Sequence, residues 1–381
     1  MAGIRPEIDP DGLLEYSVVF TDRSLNHMSQ SFQGVMRDIS DTMKRAYNAA
    51  SVTIVPGGGS YGMEAVARQF ATNQKCMILR NGWFSFRWSQ IFEAGDIPSE
   101  AIVFKARPVG EGHQAAFAPA PIDEVVAAIR QDKPALFFAA HVETASGIIL
   151  PLDYMRAIGD AMHEVGGMFV LDCIASGAIW VDMEEAGVDI LISAPQKGWS
   201  ASPCAAIVMM NATARAAIED TTSSSFACDL KKWLSIMEAY EGGGHAYHAT
   251  MPTDGLVKLH AAMKETEEYG FDKICAEQQK LGDKVRALLE GKGFKSVAAP
   301  GFQAPGVIVS FTDETNIQNG SNFAAEGLQI AAGVPLQCDE PDGFRTFRLG
   351  LFGLDKLQNI DRTVVNLEAA LTRVLAATNI R

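Results

Sequence analysis

The chain has 381 residues, 48% of them hydrophobic and 20% charged, and carries 32 basic against 46 acidic side chains for a formal net charge of −14. That length exceeds one ordinary core and suits two packed domains of a globular protein. Because no run of Lys and Arg interrupts the acidic background, nucleic acid and anionic membrane surfaces are excluded as expected partners, since both require clustered positive charge.

The N-terminal stretch "MAGIRPEIDPDGLLEYS" mixes acids and prolines and lacks an apolar core of signal-peptide length, so no export is expected. No apolar run is long enough to cross a bilayer. The six cysteines, at positions 76, 173, 204, 228, 275 and 338, lie far apart with no CxxC pair. That spacing suits neither a disulfide framework nor a zinc site, and the expected setting is a reducing cytoplasm.

From about residue 50 to residue 210 short β-rich runs alternate with helical patterns. "SVTIVPGGGS", "KCMILRN", "AIVFKA", "ALFFAAHVE", "GMFVLDCIA", "VDILISA" and "CAAIVMMN" read as strands, with helices such as "YGMEAVARQFA" and "DYMRAIGDAMHEVG" between several of them. The apolar runs are continuous rather than alternating, which predicts a mostly parallel sheet covered by helices on both faces, an α/β fold. Beyond residue 255 one long helical stretch, then the short strands "VIVSFT" and "TFRLGLF", then a terminal helix predict a smaller α+β domain. The expected division is an N-terminal extension over 1–15, a large domain over 16–268 and a small C-terminal domain over 269–381.

Three features bear on chemistry. Gly57, Gly58, Gly59 and Ser60 join a predicted strand to a predicted helix, where glycine amides and a helix N-terminus suit a phosphate. Gly57, Gly59 and Gly62 fit the GxGxxG spacing, but Arg80 stands where a dinucleotide-binding fold needs a ribose-binding acid, so a single phosphate is the better expectation. Asp172 ends the strand "GMFVLD", and Lys197 ends "VDILISAPQ". In open α/β sheets ligands collect outside the carboxyl ends of strands, so all three features face one predicted crevice. Singly, the glycines suit a plain turn, Asp172 a helix cap and Lys197 the surface. Together they meet the needs of pyridoxal 5'-phosphate: an amine for a Schiff base, an acid for the ring nitrogen and a phosphate cradle.

From about residue 28 onward the chain resembles the class V (fold type I) pyridoxal-phosphate aminotransferases of the alanine/serine–glyoxylate and serine–pyruvate group. "GGGSYGMEA" is similar to their phosphate loop, which implies that Gly58, Gly59 and Ser60 hold the phosphate. "RNGWFSFRW" resembles "NGxWG" and makes Phe84 the residue stacked on the ring. "HVETASG" resembles "HxETSTG" and brings Thr144 to the phenolic oxygen. "LDCIAS" resembles "DxVAS", assigning Asp172 to the ring nitrogen and Ile174 to the ring face opposite Phe84. "SAPQKGW" resembles "SGSQKxL" and makes Lys197 the Schiff-base lysine with Gln196 near the phosphate. "AYHATMP" resembles "YHHTxP", so Tyr247 and Thr250 are implied to reach the neighbouring subunit's phosphate in a homodimer with shared sites. "FRLGLFG" resembles "RIGxxG", and Arg348 rather than Arg345 is implied to grip the substrate α-carboxylate, a role that suits a guanidinium fork.

The implied reaction moves an amino group between a small amino acid resembling alanine or serine and a 2-oxo acid resembling glyoxylate or pyruvate, by ping-pong kinetics, with Lys197 and Asp172 as catalytic groups. The alternative is a lyase of the same fold, by β-elimination or as a cysteine desulfurase, for which Cys338 in "VPLQCDEPDG" is the thiol to test. A dinucleotide-binding dehydrogenase or a non-catalytic binding protein would need no Schiff base. The family's opening "PGPxN" segment is replaced by "VVFTDRSLNHMSQSF"; Asn26 and His27 are candidate pocket residues there, against the plainer expectation of a solvent-exposed turn.

Overall fold

A computed structural model describes residues 5–10 and 12–378. Residues 1–4 and 11, within the expected N-terminal extension, and 379–381 lie outside the described residues. The seven apolar runs all become strands of one sheet: β1 (Ser51–Pro56), β2 (Lys75–Arg80), β3 (Glu100–Lys105), β4 (Leu136–Ala140), β5 (Met168–Asp172), β6 (Ile190–Ser193) and β7 (Ala205–Met210). Their spatial order is β1-β7-β6-β5-β4-β2-β3. Only β7 runs against its neighbours, pairing antiparallel with both β1 and β6, while β2, β3, β4, β5 and β6 pair in parallel. The central strands β4 and β6 are buried at every position, as continuous Val, Ile, Leu and Phe runs require when helices cover both faces.

Those helices are amphipathic. They include α1 (Gln30–Tyr47), α2 (Gly59–Phe70), α3 (Trp83–Gly95), α4 (Ile122–Asp132), α5 (Leu152–Glu164) and α6 (Leu230–Glu241). In α1 the Ser29 hydroxyl accepts the Phe32 amide, and Asn48 closes the far end at φ 53°; Phe32, Met36, Ile39 and Met43 repeat at helical spacing on the buried face.

The long helical stretch is two helices, α7 (Thr253–Tyr269) and α8 (Phe271–Gly291), which corrects the expectation of one. The break is Gly270, at φ 99° and ψ 126°, a conformation that excludes side chains with a Cβ. After α8 come β8 (Val307–Phe311), β9 (Ala331–Ala332) and β10 (Thr346–Gly350), in the antiparallel order β8-β10-β9, and the terminal helix α9 (Ile360–Thr378). Leu281, Val285, Phe347, Leu349 and Leu371 form their own apolar cluster. A further cluster joins Val142, Ala145 and Ile148 of the first part to Val307, Val309 and Phe311 of the second. Among the described residues no helix is long and apolar enough to cross a membrane.

Candidate active site

Parallel strands leave their carboxyl ends at one edge of the sheet, and the segments that leave β1, β2, β4, β5 and β6 there enclose a cavity of about 190 Å³. Eight of the residues singled out in the sequence line it: Gly59, Ser60, Phe84, Thr144, Asp172, Ile174, Gln196 and Lys197. Gly58 stands at its edge as the extended N-cap of α2, with no side chain to cap the helix. The first amides of α2 are therefore left without a side-chain acceptor, which suits an anion.

Close packing shapes this end of the cavity. A Cβ on Gly59 would lie 2.3 Å from Ile174 Cδ1, and one on Gly57, at φ 126°, would lie 2.6 Å from the Tyr61 ring. At Gly57 the positive φ favours glycine whatever the space, and at Gly59 a Cβ would require the Ile174 side chain to move. Ser60 Oγ accepts a hydrogen bond at 2.9 Å from Nη1 of Arg87, which lies three residues after Phe84 on α3 and shares the cavity wall. Arg87 was not among the residues expected here. The signal was available, since residues three apart fall on one face of a helix.

At the end of β5, Asp172 is 7% exposed and its Oδ1 accepts the Ile174 amide at 2.8 Å. Burial pushes its carboxyl up to about 6; the Ile174 amide opposes this, the nearby Glu143 adds to it, and Arg87 and Lys197 oppose it. Lys197 is half-buried with Nζ 5.0 Å from the centre of the Phe352 ring. Burial draws its amine below the usual lysine range, Arg348 and Arg87 push the same way, and Asp172 pulls against them. These shifts move an acid and an amine toward neutrality from opposite sides, the condition that proton transfer near pH 7 requires.

Glu143, fully buried, organises the neighbouring wall, and sequence reasoning did not single it out. Its carboxylate accepts the amides of Phe84, Ser85 and Ala145 at 3.2, 2.8 and 2.9 Å. It thereby fixes the start of α3 against the segment that bears Thr144. Arg348, on β10, donates from Nε to the Ala332 carbonyl at 2.8 Å, and its Cζ lies 5.5 Å from the Phe84 ring centre. Arg345 instead donates to the Asp313 carbonyl at 2.8 Å. Of the two arginines, only Arg348 faces this wall.

Two buried side-chain atoms on the cavity lining, Thr144 Oγ1 and Gln196 Oε1, have no hydrogen-bond partner. Unmet polar atoms around a concave site fit a polar ligand. An anion-ready helix end, an orphaned hydroxyl, a buried acid and a lysine of lowered basicity together fit pyridoxal 5'-phosphate.

Other residues singled out in the sequence stand away from this cavity, among them Tyr247 and Thr250, which are expected at the neighbouring subunit's site rather than at this one. Tyr247 is 57% exposed and its hydroxyl lies 3.3 Å from that of Thr250, which is also exposed. Asn26 and His27 neither line the cavity nor form an exposed turn. Asn26 Nδ2 donates to Glu15 at 2.5 Å and to Ser17 at 3.2 Å, and the buried His27 ring packs against Phe20 and Tyr247. Cys338 is buried as well, its thiol donating to the Arg80 carbonyl at 3.3 Å, and burial pushes that thiol up to about 12.

The family model for class-V aminotransferases matches residues 13–341. A curated relative from Callithrix jacchus, an alanine–glyoxylate aminotransferase, is 25% identical over 91% of this chain and 82% of its own length. An L-aspartate–glyoxylate aminotransferase from Paracoccus denitrificans is 26% identical over 72% of this chain and 67% of its own. Among solved structures, a pyridoxamine–pyruvate aminotransferase from Mesorhizobium loti superposes with a TM-score of 0.78 at 17% identity, covering 94% of this chain and 87% of that one. It shares the fold, a mainly parallel central sheet flanked by helices. The chain belongs to the class-V aminotransferase family and is a pyridoxal-phosphate-dependent transferase.

Proposed function

We propose that the enzyme moves an amino group between a small amino acid and a 2-oxo acid in two half-reactions, with glyoxylate or pyruvate as the acceptor class. Glyoxylate recurs in the names of the relatives from Callithrix jacchus and Paracoccus denitrificans, which supports that choice. The observation that carries the reading is the meeting of Asp172, Lys197 and the open start of α2 in one cavity.

Pyridoxal 5'-phosphate, when bound, supplies a carbonyl that condenses with amines and a ring that accepts electrons. The remaining work falls to the chain. Lys197 holds the group covalently between turnovers, and its amine, freed by the incoming substrate, takes the proton from the substrate Cα. Asp172 keeps a proton on the ring nitrogen. Phe84 and Ile174 flank the ring, and Thr144, whose hydroxyl is otherwise unpartnered, binds the phenolic oxygen. Gly58, Gly59, Ser60 and Gln196 hold the phosphate, and Arg348 binds the α-carboxylate with a planar fork. Tyr247 and Thr250, exposed and bonded to each other, complete the neighbour's phosphate site in a homodimer. The division near residue 268 belongs to the same reading and is supported by the break at Gly270. Six free cysteines support a cytoplasmic setting. The desulfurase alternative loses support from the burial of Cys338, because a nucleophilic thiol needs access and a lowered pKa.

The test is spectroscopic and chemical. The purified enzyme should be yellow, absorbing violet-blue light, and borohydride should fix the cofactor to Lys197 in the parent and not in Lys197→Ala. A screen of amine donors against pyruvate, glyoxylate and 2-oxoglutarate then identifies the pair. Release of free ammonia without amine transfer would replace transamination with elimination, and a colourless, unlabelled protein would overturn the reading.

A further inference from the structure

We propose that Arg87 supplies the cationic contact of the phosphate subsite, binding a phosphate dianion together with Ser60 and the first amides of α2. This rests on the cofactor reading above and adds a residue that neither the sequence motifs nor the family resemblance singled out.

The other groups expected at that subsite are neutral. Gly58 and Gly59 contribute amides, Ser60 a hydroxyl and Gln196 a carboxamide. A dianion drawn out of water is held far better by a charge-assisted bond than by neutral donors alone. Arg87 is placed to make one. It is half-buried on the cavity wall, its Cζ lies 5.2 Å from the Phe84 ring centre, and Nη1 lies 2.9 Å from Ser60 Oγ. Among the described residues no carboxylate lies within ion-pair distance of it, unlike Arg68, Arg130 or Arg215. It therefore has no direct ion-pair partner among the described residues, and the one carboxylate seen to act on it, Asp172, does so only through space.

The bond to Ser60 has a direction. A hydroxyl that accepts from a guanidinium keeps its own proton for another acceptor, so Ser60 is left to donate to an anion beside α2. Thr144 Oγ1, 6% exposed at the residue level and unpartnered, lines the same cavity and marks independently that a polar ligand belongs there. Arg348, by contrast, is tied to the carbonyls of Ala332 and Thr144. The two guanidinium groups are thereby assigned to different anions, Arg87 to the phosphate and Arg348 to the substrate carboxylate.

The experiment compares parent, Arg87→Gln, Arg87→Lys and Arg87→Met. Cofactor affinity is measured by titrating pyridoxal 5'-phosphate into the apoenzyme, and thermal unfolding of the apoenzyme is followed with and without inorganic phosphate. Arg87→Gln should weaken cofactor binding by about 10- to 100-fold and lose the rise in melting temperature that phosphate gives the parent. Arg87→Lys should recover part of both. At saturating cofactor, Lys197 should still be fixed by borohydride. If Arg87→Gln does not fold, Arg87→Met, which keeps the stem over Phe84, carries the same measurements. Parental cofactor affinity together with a raised KM for a dicarboxylic substrate would overturn the proposal and make Arg87 a substrate residue. Should the parent itself fail to label at Lys197, the cofactor reading falls, and the phosphate-dependent melting shift still decides whether Arg87 binds phosphate.

Discussion

Ser85 gives both its backbone N–H, at 2.8 Å, and its hydroxyl, at 2.7 Å, to one oxygen of Glu143. Since Gly82 precedes α3 with no side chain to offer, this buried carboxylate from the segment after β4 caps the helix that bears Phe84 and Arg87. Glu143→Ala should leave those buried amides unpaired and lower apoenzyme stability by about 1–3 kcal/mol in urea unfolding, with Glu143→Gln affected less. Cofactor affinity should fall with it, because the ring-stacking wall moves. Unchanged stability of Glu143→Ala would refute this capping role.

The environment of Asp172 makes stability depend on pH. Its carboxyl titrates at about 6 in the folded apoenzyme against the ordinary 3.8. Between those values the folded state keeps a proton that the unfolded chain has released, so this contribution is present below pH 4 and is withdrawn as pH rises through 6, about 3 kcal/mol in all. Asp172→Asn, a neutral group of the same shape, should make the apoenzyme more stable than the parent above pH 6 and confer no such advantage below pH 4. Parallel stability curves for the two proteins would sink the argument. In the holoenzyme the same change should lower kcat by about 100-fold or more, since the amide cannot hold a proton on the ring nitrogen as a carboxylate does.

Arg348 acts on Lys197 through space as well as on substrate. After burial, its guanidinium is the largest influence holding the Lys197 amine below its usual range. Arg348→Gln should therefore move the pH profile of Lys197 arylation in the apoenzyme toward higher pH. It should also raise the KM for the amino acid by about 10- to 100-fold, the effect of losing a bidentate charge-assisted contact. An arylation profile identical to the parent's would mean that burial alone sets the amine's basicity.

The seven strands were legible because each is a continuous apolar run bounded by turn residues, and the site's residues were legible where the chemistry is local to a strand end, as at Asp172 and Lys197. What escaped was set by partners distant in sequence. The cap on α3 depends on Glu143, 58 residues beyond Ser85, and no local pattern announces it. The burial of His27 comes from aromatic neighbours including Tyr247 and from Tyr240, whose hydroxyl donates to the His27 carbonyl at 2.9 Å; the exposed turn expected for "TDRSLN" is present at Asp22 and Arg23 and ends before the buried Leu25, Asn26 and His27. Gly270 was visible, yet the helical periodicity continues across it, and only a φ of 99° identifies it as a break.

The glycine after the lysine yields the last prediction. A Cβ on Gly198 would fall 1.9 Å from the carbonyl oxygen of Gly177, far inside contact distance, and the obstacle is backbone, which has no rotamer by which to retreat. Gly198→Ala must push apart the loop bearing Lys197 and the segment that follows Asp172 and Ile174, the two sides of the cavity on which the chemistry depends. The expected cost is about 1–3 kcal/mol of stability, accompanied by a lower yield of borohydride-fixed cofactor at Lys197. Gly34→Ala is the control: it lies within α1, where a Cβ meets nothing within 4 Å, and alanine in a helix interior should stabilise by about 0.5–1 kcal/mol. Equal behaviour of the two variants would show that the close approach of residues 177 and 198 does not govern the position of Lys197.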